Sequence, residues 1–303
     1  MKNQRYPDFY IVGAPKAATT SLYHYLDQHP DVFLPDKKEP VYLSGYKPNF
    51  VGPGAELLNK SMITSEEEYL KLFEQAPSSS IVGEASTDYL ASKSAAKNIK
   101  QRNPNAKIII VLRNPVDRAY SEHMHLVRDQ FENLGFMEAL LLEKKRIEQG
   151  YVPLFWHIKR GMYFQAVNRY LDEFSSDQVK VILYDDLCSD VSKVIAEIND
   201  FLGLCQYKYS TDFKSNVSGI ANIPLFQSLF VYYRARPRDS WIKKIARLVS
   251  NDGIRKNIMQ FYLRKNIQKQ IIPMESERLY LKNMYKEDIE NLEGLLGIEL
   301  TWN

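Results

Sequence analysis

Two short stretches carry the residue types that recognise phosphate. The first reads G-A-P-K-A-A-T-T-S, from Gly13 to Ser21, between a run of β-formers and a helical pattern. A loop that leads from a buried strand into a helix N-terminus presents backbone N–H groups to an anion, and the helix dipole adds to the attraction. Lys16 supplies a full positive charge, and Thr19, Thr20 and Ser21 supply hydroxyl donors. This is not a Walker loop, which needs G-x-x-x-x-G-K-[ST]; no glycine stands directly before Lys16, and the lysine–serine pair that positions Mg²⁺ is missing in that form. The alternative is a plain strand-to-helix turn with a surface lysine. The second stretch is R-N-P-V-D-R-A-Y-S, Arg113 to Ser121. An arginine at the carboxyl end of a central strand stands where open α/β sheets bind ligands. Its planar fork of donors suits a phosphate, and Ser121, about two turns along the following helix, can converge on the same group. The competing reading is a structural ion pair between Arg113 and Asp117. His123 and His125 do not make a metal site, because an i,i+2 pair on a helix does not face one point.

The elements that must position these residues follow from periodicity and punctuation. Residues 8–12 (DFYIV) read as a buried strand that ends at Gly13 and Pro15. Residues 19–29 read as a helix stopped by Pro30, with Leu22, Tyr25 and Leu26 on one face. Residues 35–64 read as a long functional loop. Helices are predicted over 66–73, 92–101, 135–149, 161–174 and 189–202, the last stopped by Gly203. Further strands are predicted over 81–83, 107–112 (KIIIVL) and 179–184. Asn114 and Pro115 predict an N-cap and first helical residue for a helix that runs to about Asp129. Strands alternating with helices predict an α/β fold with a parallel sheet. Past residue 224 the pattern is helical.

Composition bounds the function. The 303 residues are 45% hydrophobic and 25% charged, with 40 basic against 37 acidic residues, a formal net charge of +3. That excludes a disordered or collagenous chain and argues against a nucleic-acid grip over the whole surface. The near-neutral total is uneven. Residues 225–272 hold eleven Lys/Arg against two Asp, interleaved with apolar residues. Three readings stand for this stretch: a solvated helical face on the sheet domain, an acceptor-binding lid, or a surface for an anionic membrane or partner. Cys188 and Cys205 are too few for a disulfide framework, and the N-terminus lacks a signal-peptide pattern, so the expectation is a cytoplasmic protein.

Taken together, the two motifs resemble those of sulfotransferases that use 3′-phosphoadenosine 5′-phosphosulfate (PAPS), and the chain is most similar to bacterial relatives of the heparan-sulfate-type carbohydrate sulfotransferases. The resemblance covers about residues 7–220 and the ending L-L-G-I-E-L-T-W, Leu295 to Trp302. It implies a P-loop-like three-layer α/β fold with a central parallel sheet: a PAPS-binding domain over 1–224 and a helical C-terminal extension over 225–303 packing on it. Lys16, Ala17, Ala18, Thr19, Thr20 and Ser21 would hold the 5′-phosphosulfate, with Lys16 steadying the leaving oxygen. Arg113 and Ser121 would hold the 3′-phosphate. Asn216, Ser218 and Gly219 resemble a cofactor-covering loop. In K-K-E-P, Glu39 takes the place of the family's general base, beside Lys38, and His125 is the alternative base. Lys38, Glu84 and Tyr163 are the expected acceptor contacts. Where many relatives carry a lysine at the exit of the second strand, this chain has Ala85. The resemblance further implies metal-free in-line transfer that leaves adenosine 3′,5′-bisphosphate (PAP). The acceptor would be a small secondary metabolite or, alternatively, a saccharide or glycolipid. The rival classes are a P-loop nucleotide kinase and a non-catalytic module for nucleotides or anionic surfaces.

Overall fold

The computed structural model describes residues 5–211 and 273–302. Its centre is one parallel five-stranded sheet in the order β2-β3-β1-β4-β5. β1 (Phe9–Gly13), β3 (Ile81–Ala85), β4 (Lys107–Leu112) and β5 (Val179–Leu183) bear the apolar runs, and the two-residue β2 (Val32–Phe33) forms one edge. Every residue of β1 is buried, as are all of β4 but Lys107. This is what a parallel sheet covered on both faces requires. Tyr10 pairs with Glu84 on one side and Ile108 on the other, which fixes the register at the centre. The chain leaves β1 toward β3 and β2, and leaves β4 toward β5, so the strand order reverses beside β1. Loops that diverge at such a switch open a crevice at the carboxyl ends of the strands. The loops that diverge here are the two phosphate-type motifs.

The helices are α1 (Thr19–Leu26), α2 (Ala55–Ser61), α3 (Glu66–Lys71), α4 (Ala95–Arg102), α5 (Pro115–Arg128), α6 (Phe136–Glu148), α7 (Phe164–Glu173), α8 (Tyr184–Ser189), α9 (Val191–Leu202) and α10 (Glu275–Leu296). Several differ from expectation for local reasons. α1 stops at Leu26 rather than 29, because the residue before Pro30 is pushed out of the helical region. The segment 35–64 is not loop throughout, since it includes α2 and a 3-10 turn at Tyr42–Ser44. The helix expected over 189–202 begins at Val191, where the Asp190 side chain accepts from the Lys193 N–H at 2.9 Å and separates it from α8. α7 begins at Phe164 rather than 161, since the Asp288 carboxylate takes the Tyr163 and Phe164 N–H groups at 2.6 and 3.1 Å. That contact also anchors α10, which packs on α5 and α7. The basic stretch 225–272 lies outside the described residues.

β1 and β3 approach so closely that only glycine fits at Gly83: an added Cβ would meet the Phe9 ring at 2.1 Å. Gly83→Ala is expected to cost about 1–3 kcal/mol by overpacking. Urea denaturation checks this, and an unchanged midpoint would contradict it.

Candidate functional site

The loop after β1 takes a shape that exposes donors. Lys16 and Ala18 both sit at positive φ, 65° and 59°, and Ala18 caps α1 with no side-chain hydrogen bond. The Leu22 N–H reaches the Ala18 carbonyl at 3.1 Å. The amides of Thr19, Thr20 and Ser21 are therefore the orphan donors of a helix start. Successive amides in such a turn form a concave anion cradle. Arg113, at the end of β4, donates from Nη1 to the Lys16 carbonyl at 2.9 Å, and its guanidinium lies 4.6 Å from the Tyr184 ring centre. The two sequence motifs thus touch. Asp117 pairs not with Arg113 but with Arg278 of α10, at 3.0 Å.

Beside this loop lies a cavity of about 390 Å³ lined in part by Lys16, Ala18, Thr19, Thr20, Lys38, Glu39, Thr87, Asp88, Glu122, His125, Arg128 and Arg160. Glu39 reaches it from a strained segment: Glu39 and Val41 both have positive φ, 57° and 58°. Such backbone persists only where its surroundings hold it. Here the Glu39 N–H donates to the Ala85 carbonyl at 2.9 Å, the Val41 N–H to Ser86 Oγ at 3.1 Å, and the Leu43 N–H to Tyr89 Oη at 3.1 Å. The Glu39 carboxylate accepts from the Thr87 N–H at 2.7 Å and from Thr87 Oγ1 at 3.2 Å. Lys38 Nζ spans the site, 2.7 Å from Thr20 Oγ1 and 3.7 Å from Glu39.

The electrostatics suit anion binding and proton transfer. Burial, reinforced by the Arg128 charge, pulls the Lys16 ammonium down to about 8. An arriving anion would relieve that penalty. Burial raises the Glu39 carboxyl, with Lys38 opposing. Burial lowers His125 despite its contact with Asp129 at 3.2 Å. Below the cavity, Arg160 joins two acids: Nη2 meets Asp88 at 2.6 Å and Nη1 meets Glu122, whose other oxygen takes Arg118 Nη1 at 2.7 Å. Burial alone would raise Glu122, but the Arg160 and Arg118 charges overturn this and hold it well below the usual carboxylate range.

Not every expected residue lies in the cavity. Ala17 is fully buried in the core, and Ser21 and Ser121 are buried on α1 and α5. Glu84, expected at the acceptor, is wholly buried on β3, where the Tyr69 and Tyr89 hydroxyls donate to it at 2.8 and 2.9 Å. Its strand position turns it into the core, so it supports the Glu39 segment through Tyr89 rather than meeting a ligand. Tyr163 is likewise buried, and its hydroxyl donates to the Arg113 carbonyl at 3.0 Å, which makes it a prop for the β4 exit. His123 packs beside His157 and Phe136, away from His125. Asn216, Ser218 and Gly219 lie outside the described residues. Thr87, Asp88, Glu122 and Arg160 escaped sequence reasoning. Glu122 alone left a trace, adjacent to Ser121 and four residues past Arg118 on one helix face.

Comparison with known proteins follows the same outline. A family model described as "Sulfotransferase family" matches residues 7–207. A crystal structure of a sulfotransferase from Alicyclobacillus acidocaldarius is 34% identical, covers 98% of each chain and superposes with a TM-score of 0.75. A mouse sulfotransferase, SULT7A1, complexed with PAP is 16% identical over 96% of this chain and 88% of that one, TM-score 0.51, which shows a shared fold. A bifunctional heparan sulfate N-deacetylase/N-sulfotransferase 1 of Caenorhabditis elegans is 28% identical over 68% of this chain. The chain spans 62% or less of the length of such curated relatives. Among the described residues, no helix is long and apolar enough to cross a membrane.

The buried Glu84 has a consequence for stability. Burial, partly offset by hydrogen bonds from Ser86, Tyr69 and Tyr89, raises its carboxyl to about 7 from an ordinary 4.5. Between those values the folded chain keeps a proton that the unfolded chain releases, so stability falls as pH rises from about 4.5 to 7. The expected loss is on the order of 3 kcal/mol relative to Glu84→Gln, measured by denaturation at several pH values. Parallel profiles for the two proteins would contradict it.

Proposed function

The chain belongs to the Sulfotransferase family, and on that premise we propose that it moves the sulfuryl group of PAPS to a hydroxyl or amino group of a small-molecule acceptor. The observation that carries this reading is the shared cavity: the cations and hydroxyls of the β1 loop face the Glu39 carboxylate across it. The residues fit the cofactor. The orphan amides at the start of α1, with Lys16, Thr19 and Thr20, would hold its 5′-phosphosulfate, and Arg113 with Ser121 would hold its 3′-phosphate. When bound, PAPS supplies an activated sulfuryl group.

Each residue's part follows from its environment. Glu39 accepts the proton of the attacking hydroxyl or amine, and its raised carboxyl makes it a better base. Thr87 fixes its orientation. Lys16 neutralises charge that develops on the leaving phosphate side, where low dielectric makes a fixed cation effective. Lys38, bonded to Thr20 and paired with Glu39, links the phosphate loop to the base and offers the sulfuryl oxygens a second cation, on a chain that has Ala85 at the strand exit. His125 remains the alternative base. In this reading residues 1–224 bear the chemistry and 225–303 form a C-terminal extension of the same domain. The two cysteines, exposed and free, support a reducing cytoplasmic setting. A saccharide acceptor is the second reading, favoured by the similarity to a heparan sulfate N-deacetylase/N-sulfotransferase.

Calorimetric titration with PAP and with Mg·ATP separates this function from that of a nucleotide kinase. PAP is expected to bind tightly, at least tenfold more weakly to Arg113→Ala, and progressively less as pH rises through about 8, where Lys16 loses its proton. Preference for Mg·ATP would overturn the reading.

A further inference from the structure

A second cavity, of about 260 Å³, lies on the other side of Arg160, which lines both. Three cations converge on it from different elements: Lys93 just before α4, Lys159 in the turn before α7, and Arg169 within α7. A shallower hollow lined by Lys93, Arg169, Phe164 and Gln165 continues it. The charge in the second cavity is only partly compensated. Arg160 is already matched by Asp88 and Glu122. Asp288 also lines the cavity, where its carboxylate accepts from the Tyr163 and Phe164 amides and offsets one of the three cations in part. Among the described residues no carboxylate stands within ion-pair distance of Lys93, Lys159 or Arg169. Arg169 gives Nη2 to the Leu90 carbonyl at 3.1 Å, yet its Nε is buried with no hydrogen-bond partner. Lys159, whose ammonium lies 3.9 Å from the Trp156 ring centre, is held below the usual lysine range by burial and by Lys93. Lys93 and Arg169 both disfavour the Lys159 ammonium, a repulsion that an anion among the three would offset.

We propose that this second cavity binds a tetrahedral oxyanion, a sulfate or phosphate group, held by Lys93, Lys159 and the Arg169 guanidinium. Three cationic side chains from three elements, one of them a planar guanidinium, match an oxygen-rich anion. Leu90, Met162 and Ala166 supply apolar wall for whatever carries it. The group comes either from a sulfated or phosphorylated acceptor that reaches past Arg160 or from a free anion. The site itself does not depend on the sulfuryl-transfer reading, because it shares none of the phosphate-loop residues.

The test is NMR of arginine Nε–H signals, with the Arg169 resonance assigned by its loss in Arg169→Lys. The full chain is titrated, with and without PAP, using glucose 6-sulfate, inorganic sulfate and glucose at matched ionic strength. The Arg169 signal is expected to shift saturably with both sulfates and not with glucose. The Lys93→Gln, Lys159→Gln double variant, changed at two exposed positions, should raise the dissociation constant at least tenfold and leave PAP affinity unaltered. Glucose 6-sulfate binding tenfold or more tightly than inorganic sulfate identifies the acceptor's own group, and equal binding identifies a free anion. No saturable shift, or full affinity in the double variant, overturns the proposal. Failure of PAP to bind strikes the cofactor reading alone, since the titration without PAP still decides this one.

Discussion

The interaction on which the site depends is the buried ion pair chain Asp88–Arg160–Glu122–Arg118. It crosses from the segment after β3 to α5, the helix that follows the Arg113 motif. Two guanidiniums and two carboxylates balance each other in a buried position at the cavity's edge. Such a cluster gains little net stability, because desolvation consumes most of its attraction. Its value is geometric. Removing any one member strands a buried charge, so the four are compatible with one arrangement only. Asp88 follows Thr87, the residue that grips Glu39, and Glu122 follows Ser121 on α5. The separation of the Glu39 segment from the Arg113 motif is thereby set by charges that cannot relax independently.

A second constraint operates above it. The β1 loop and the Glu39 segment each hold non-glycine residues at positive φ, and each is fixed by the neighbour it must meet. Arg113 grips the Lys16 carbonyl, while the strand exit at Ala85 to Tyr89 holds residues 39, 41 and 43 by their amides. Glu84 belongs to this scaffold: its carboxyl orients the Tyr89 hydroxyl that receives the Leu43 amide. Burial between the two facing loops lowers the Lys16 ammonium and raises the Glu39 carboxyl, and an arriving anion would relieve the first of these.

Local signals in the chain were enough for the frame. KIIIVL is β4 to the residue, and Asn114 caps α5 as its type and the following proline require, accepting from Val116 N–H at 3.0 Å. The phosphate loop was legible because strand, turn and helix start are adjacent in sequence. Glu39 and Lys38 were reachable only through family resemblance, since nothing local tells a pocket glutamate from a surface one. Arg160 and Asp88 are 72 residues apart and meet only in three dimensions. Glu84 and Tyr163 each sit near a motif in sequence, and only the packing shows that both are buried, Glu84 on a strand covered on both faces. The two-residue β2 and seven-residue α2 are too short to show periodicity.

The central claim is that this cavity transfers a sulfuryl group with Glu39 as the proton acceptor. Its most direct measurement is transfer of ³⁵S from labelled PAPS into a metabolite extract, resolved by chromatography, for the wild type and for Glu39→Gln. The account predicts a discrete labelled product with the wild type, and a rate reduced by about 10²–10⁴-fold in the variant while PAP still binds. Equal labelling by both proteins, or none by the wild type across varied extracts, would contradict it.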